Sequence, residues 1–353
     1  MKTFLLMLAL SYSLTAQDLT LPIQNEPTHI DLPKNKPMLG TKTLLCAAII
    51  YTDDSSPSYK GKAGSVCNKI REFYSRNSRG LLDVKIKGVD HRVPYANNRQ
   101  WNKIKYNVKQ KYPNYDYYAL MVGSKLSASH AGGGVAWLRG SLFRDAQHEF
   151  GHLLGLGHAG RYEWEKGKPV LHAYNDGESV MGRFPSDTLT GPQYRWLAWL
   201  PKDEVAVYNE TMLGKEFEIK RITDTKQKML SLVGIPVEYY WGDVPDKENP
   251  DPHRDAFISF GTRCDQCLSL HLSMGGGTQK VQMFGNEYYD NQFTGLHVKV
   301  IESSKAKMKF TIDFEPKPSK FVEEFFMPNI SEVFFGAFDH FKPANFCGVK
   351  DAT

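Results

Sequence analysis

An α/β domain followed by an antiparallel β-rich domain is the fold class that the 353-residue sequence predicts. Before residue 200, strand-like runs alternate with helix-like ones, the pattern of a sheet covered by helices. After residue 200, short alternating runs are separated by turn-rich gaps, as in an antiparallel β-sandwich. With 41% hydrophobic and 24% charged residues the chain is globular in composition, which excludes wholesale disorder, collagen and coiled coil. The length suits about two domains.

Taken in order, residues 1–16 have the layout of a secretory signal peptide: Lys2, an apolar run from Phe4 to Leu10, and small Ala16 before Gln17. No later segment approaches the ~20 uncharged apolar residues of a membrane span. The chain is therefore expected to be secreted, extracellular and without stable membrane insertion, with residues 17–40 as a short extension. Residues 43–51 read as a buried strand, and residues 66–75 as a helix with apolar Val66, Ile70, Phe73 and Tyr74. Residues 81–86 alternate like a strand, 101–110 look helical, and 117–122 and 134–139 are further strands. Export favours oxidised thiols, so disulfides are expected, with Cys46 and Cys67 a plausible pair; the lone Cys264/Cys267 CxxC is weak support for zinc. Asn209 and Asn329 open glycosylation sequons.

The stretch from His148 to His158 carries the chemistry. On a helix, His148 and His152 are four residues apart and project from one face, with Glu149 beside them. Phe143, Ala146, Phe150 and Leu153 or Leu154 form an apolar stripe on the other side. A catalytic zinc takes three protein ligands and keeps one position open; His158 supplies the third imidazole if the chain turns sharply, and Gly155 and Gly157 suit such a turn. A bare HExxH arises readily by chance. At 29 Gly and 11 His in 353 residues, both added positions match accidentally in only about 0.003 of cases. One catalytic Zn2+ held by His148, His152 and His158, with Glu149 as general base, is the reading these residues support.

The segment HExxHxxGxxH, with Ser179, Val180, Met181 and Gly182 beyond it, resembles the metzincin zinc metalloendopeptidases. Within these it is most similar to the gametolysin family, through the run from Tyr174 to Gly182 and the later Pro192, Tyr194, Trp196, Leu197 and Leu200. Asn175 and Ala198 stand where Gly is usual. The resemblance covers residues 44–200. It implies an α+β metzincin-like catalytic domain over residues 41–205, with Met181 as the hydrophobic floor beneath the imidazoles. It also implies that the strand before the metal helix, here Val135, Ala136, Trp137 and Leu138, is an exposed edge that holds substrate by strand addition. Some metzincins place a Tyr two residues after this Met; position 183 is Arg, so Arg183 and Tyr194 are the candidate transition-state helpers.

Residues 206–315 form the expected β-rich domain, from runs at 217–222, 228–233, 256–260, 267–272, 296–301 and 308–314. His271 and His297 read there as packed or surface positions of alternating strands. The tail, 316–353, holds eight of the twenty Phe; Phe334, Phe338 and Phe341 have helical spacing, which suits a docked helix or, failing that, an exposed stripe for a membrane or partner.

The function so predicted is a secreted, monomeric zinc endopeptidase that acts on extracellular, matrix or cell-surface proteins and glycoproteins. A non-enzymatic adhesion protein that keeps the fold is the alternative, and a metal-dependent amidase on cell-wall material a weaker third. The net charge of +5 does not indicate nucleic acid. Its distribution is uneven: fourteen Lys/Arg against Glu72, Asp83 and Asp90 give residues 60–111 a charge of +11. Lys103, Lys105, Lys109 and Lys111 are either the solvated face of a helix or a contact for acidic glycans.

Overall fold

The computed structural model describes residues 38–96, 100–124, 126–165, 168–183 and 186–200, then the segments 205–207, 214–220, 232–236, 255–260, 268–274, 277–284, 289–291, 296–304 and 307–314. The expected signal peptide, residues 17–37 of the N-terminal extension, both sequons, the CxxC and the Phe-rich tail lie outside the described residues.

The first half contains the predicted elements and one unpredicted strand, β4: it runs β1 (Gly40–Ile50), α1 (Ala63–Asn77), β2 (Leu82–Arg92), α2 (Trp101–Lys111), β3 (Tyr117–Met121), β4 (His130–Gly132), β5 (Val135–Leu138) and α3 (Phe143–Leu153). The sheet order is β2-β1-β3-β5-β4, parallel except for β4. Seven consecutive residues of β1, Leu44 to Ile50, are buried because helices cover both faces of the sheet. Leu44, Cys46, Ala48 and Ile50 face the core made with Val66, Ile70 and Tyr74 of α1 and Phe150 of α3. Leu45, Ala47 and Ile49 face the opposite way, toward Ile104 and Val108 of α2. This two-residue alternation is what a strand buried on both sides requires. Tyr74 ties two helices together: its ring packs edge-on against Phe150 at 5.0 Å, and its hydroxyl donates to the Gln147 carbonyl at 2.7 Å.

Cys46 and Cys67 form the expected disulfide, joining β1 to α1 across a sequence separation of 21. Closing a loop of that length restricts the unfolded chain by about 3 kcal/mol. Replacing both cysteines by Ala should therefore lower the unfolding free energy by about 3 kcal/mol, read from the denaturant midpoint and slope together because the unbridged chain unfolds to a more expanded state. A midpoint equal to that of the wild type would show that the bridge does not stabilise the fold.

Two expectations fail here for steric reasons. The strand Val135–Leu138 is not an edge: it lies between β3 and β4, and Val135, Ala136, Trp137 and Leu138 are all buried. The edge is the three-residue β4, too short to show an alternation in sequence. Phe143 is 43% exposed at the first turn of α3, so the apolar stripe of that helix begins at Ala146.

The second half adds β6 (Ala159–Glu165), β7 (Lys168–His172), α4 (Gly191–Trp196), β8 (Val205–Val207), β9 (Glu216–Lys220), β10 (Leu232–Pro236), β11 (Asp255–Phe260), β12 (Leu268–Met274), β13 (Gly277–Phe284), β14 (Tyr289–Asn291), β15 (Leu296–Ser303) and β16 (Lys307–Phe314). A mixed seven-stranded sheet runs β7-β6-β13-β12-β11-β10-β8, and a separate antiparallel sheet runs β14-β15-β16-β9. The larger sheet draws strands from both sides of residue 205. β6, which starts immediately after His158, pairs in parallel with β13 through Thr278↔Ala159. In the smaller sheet Ile219, Val298, Met308, Phe310 and Ile312 are buried, and Phe217 stacks on Phe310 at 5.9 Å.

The basic excess has a structural location. β2 is an edge strand, and Lys85, Lys87 and Arg92 are exposed along it; charged side chains on an edge oppose pairing with another sheet. On α2, Lys103 lies over the Tyr95 ring at 4.8 Å and Lys109 over Tyr118 at 5.1 Å. Lys111 and Lys87 flank the Tyr112 ring at 5.7 and 5.6 Å.

Candidate metal centre

α3 presents His148 and His152 on the face opposite buried Ala146 and Phe150. After Leu154 the chain reverses at Gly155, whose φ of 89° is open to Gly at little cost. Gly157 is not among the positive-φ residues, so a single left-handed residue makes the turn. His158 thus returns to the helix: its ring centroid is 4.6 Å from that of His152 and 5.5 Å from that of His148. One ligand atom from each of the three histidines lies within 4.8 Å of the other two.

Backbone carbonyls fix the tautomers. His148 Nδ1 lies 2.9 Å from the Val180 carbonyl and His152 Nδ1 lies 2.7 Å from that of Leu156. A carbonyl only accepts, so each Nδ1 carries the proton and each Nε2 presents a lone pair. These two Nε2 atoms are 3.2 Å apart. Two lone pairs facing at that distance repel unless a cation lies between them. Nitrogens about 2.1 Å from one tetrahedral zinc would themselves be about 3.4 Å apart, so the donor set fits zinc. Such second-nitrogen contacts are the usual way a protein orients metal-binding imidazoles.

The electrostatics agree with a site built for neutral ligands. Burial holds the His148 imidazolium down to about 4, against the pull of the Val180 carbonyl. Burial, followed by the His152 and His148 rings, holds His158 at about 4, and burial lowers His152 as well. Glu149 moves the other way: burial, and then the Asp145 charge, push its carboxyl up to about 7. Its Oε2 is buried without a hydrogen-bond partner, an unpaired acceptor of the kind that an ordered water satisfies.

Met181 is fully buried under α3. A Cβ added at Gly151, on the helix between the first two histidines' turns, would overlap Met181 Sδ and the Tyr74 hydroxyl, so only Gly admits the Met-bearing loop so close. The loop is also tied to the third ligand, since Ala159 N–H donates to the Met181 carbonyl at 3.0 Å. α4 holds it from another side: Ser179 Oγ donates to Gln193 Oε1 at 2.6 Å, and Met181 N–H donates to Ser179 Oγ. Ala198, which stands where the resemblance expects Gly, has a φ of 60°, the left-handed conformation that Gly adopts without strain.

Of the two suggested helpers, one is engaged elsewhere. Tyr194 is buried in the core, donating its hydroxyl to Asn77 Oδ1 at 2.6 Å with Trp199 beside it, and burial pushes its ionisation far above the usual phenol range. Arg183 is exposed, and its backbone N–H donates to the Tyr174 carbonyl. Tyr174 itself was not singled out by sequence. Its ring sits 3.8 Å, centroid to centroid, from His158, it is 43% exposed, and its φ is 67°. A non-Gly residue in that region is uncommon and marks a conformation that the surroundings impose. The signal in the sequence is its position at the head of the run from Tyr174 to Gly182.

No helix among the described residues is long and apolar enough to cross a membrane. Compared with protein-family models and with curated proteins, the chain matches none.

Proposed function

We propose that this chain is a secreted zinc endopeptidase with a metzincin-like catalytic domain supported by its β-rich region. The observation that carries the reading is the pair of Nε2 lone pairs facing each other at 3.2 Å beside a buried carboxyl whose Oε2 has no partner. His148, His152 and His158 would hold the ion. A zinc ion so held supplies Lewis-acid polarisation of a peptide carbonyl and makes a neighbouring water more acidic. Glu149 accepts the proton of the attacking water and passes it to the leaving amine; burial, which raises its carboxyl above the usual range, makes it a stronger base than an exposed carboxylate. Tyr174, beside His158 and partly exposed, forms part of the rim over which substrate enters. With Val135–Leu138 internal, the outer edge of β4, His130–Gly132, is the backbone to which an extended peptide would add. The disulfide accords with export to an oxidising compartment.

A buried carboxylate beside the ligands has no role in an adhesion protein, because burying it only costs free energy. The purified chain should cleave an unfolded protein such as reduced casein, lose that activity to a chelator and regain it with added zinc. Cleavage that is indifferent to the chelator would refute the zinc mechanism. Acidic glycoproteins should be favoured substrates, drawn by Lys85, Lys87, Lys103 and Lys111. Their cleavage should slow several-fold between about 0.05 and about 0.5 M salt, where screening shortens the range of exposed charges from roughly 14 to 4 Å. An equal slowing for an uncharged peptide would remove the role given to those lysines.

A further inference from the structure

The β-rich region reaches the candidate metal centre through buried side chains. Ser269 and His271 are two residues apart on β12, so they share a face of the strand, and both are fully buried. His271 Nε2 lies 2.9 Å from Asp176 Oδ2, and Ser269 Oγ donates to Glu178 Oε1 at 2.8 Å. The register of β12 against β13 slips by one residue between Leu270 and His271, an irregularity of the kind that re-aims side chains. Asp176 and Glu178 head the loop that ends in Met181. Asp176 Oδ1 accepts the Glu178 N–H at 3.0 Å, and Asp176 N–H donates to the carbonyl of Ala159, the residue after His158. Two residues beyond Glu178, the Val180 carbonyl accepts the proton of His148 Nδ1. Gly182 closes over the same loop so tightly that an added Cβ would overlap the Asp176 carbonyl.

We infer that His271 and Ser269 are positioning residues for the metal centre: they clamp the Asp176–Glu178 segment, and through it fix the Val180 carbonyl, Met181 and the return of the chain at Ala159. On this account the β-rich region is a working part of the site and not an appended module. The inference rests on the zinc reading above and adds to it a dependence on residues about 90 positions away in sequence.

The test measures zinc affinity of the full chain by competition with a chromophoric chelator, the metal-to-chain ratio, and the visible spectrum after cobalt substitution. Proteins compared are the wild type, His271→Phe, His271→Gln and Ser269→Ala. His271→Phe and Ser269→Ala should each bind zinc about tenfold more weakly, the lower end of what loss of a ligand-orienting partner does, and should change the cobalt spectrum. His271→Gln keeps an N–H donor at the Nε2 position and should stay within about twofold of the wild type. If His271→Phe does not fold, Ser269→Ala carries the same comparison, since it removes one hydroxyl and leaves the imidazole. Unchanged affinity in both donor-deleted variants would overturn the inference while leaving the zinc reading intact, and so would a Gln variant as weak as Phe. A ratio of two metals per chain, falling to one in His271→Phe, would also overturn it, because Asp176, Glu178 and His271 would then be ligands themselves. A wild type that binds no zinc would remove the zinc reading and this inference together.

Discussion

Glu149→Gln should leave the zinc content at one ion per chain and lower hydrolysis of an unfolded protein by about 10³-fold, equivalent to about 4 kcal/mol of transition-state stabilisation. The substitution keeps the shape of the side chain and its place on α3, next to His148 in the chain and between buried Ala146 and Phe150. It removes only the ability to take a proton. Burial and the Asp145 charge raise the Glu149 carboxyl above the usual carboxylate range, which makes it a stronger base than an exposed carboxylate. An amide offers neither basic oxygen nor a transferable proton. The ligand set contains no atom of residue 149, so metal content separates this outcome from a collapsed site. The mutant being as active as the wild type, with zinc bound, would mean that another group moves the proton and that the central assignment is wrong.

What could be read from sequence and what could not divides along the range of the contacts. The ligand helix was legible because its geometry is local: four residues carry His148 to His152, and one glycine turns the chain back to His158. β1 and its disulfide partner helix were legible for a similar reason, since a long apolar run can satisfy two covered faces only as a buried strand. The edge of the first sheet was not. β4 has three residues, and its pairing with β5 is settled by the glycines at 132–134, which give no periodic signal. In the second half β9, β11, β12, β15 and β16 were recognisable by alternation, but their partners were not, because register depends on which surfaces meet. The parallel joint of β6 to β13 brings the segment after His158 into a sheet whose strands other than β7 lie more than thirty residues downstream. His271 looked like an ordinary alternation position, and only the approach of Asp176, 95 residues earlier, gives it a role. Tyr194 misled for the converse reason: a tyrosine near a zinc motif suggests chemistry, whereas Asn77, 117 residues away, already uses its hydroxyl.

His152→Ala should abolish zinc binding at micromolar metal and hydrolysis with it, and should make the chain's thermal stability insensitive to a chelator. His152 is central to the ligand set: its ring is the nearer neighbour of both others, 4.8 Å from His148 and 4.6 Å from His158. Its Nδ1 contact to Leu156 also anchors the turn that brings His158 back. Two imidazoles separated by a missing third leave the ion half coordinated, and the turn loses a hydrogen bond. Stability supplies a readout independent of catalysis. An ion present at about a thousandfold over its dissociation constant, and not bound by the unfolded chain, stabilises the folded state by about 4 kcal/mol. The wild type should therefore lose that amount when the metal is stripped, with a fall in Tm of several degrees, while His152→Ala should melt at one temperature with or without chelator. The wild type melting at one temperature under both conditions would show that the three histidines hold no ion, whatever activity the chain possesses. A chelator-sensitive Tm that persists in His152→Ala would place the metal elsewhere, with the buried Asp176, Glu178 and His271 as the next residues to replace.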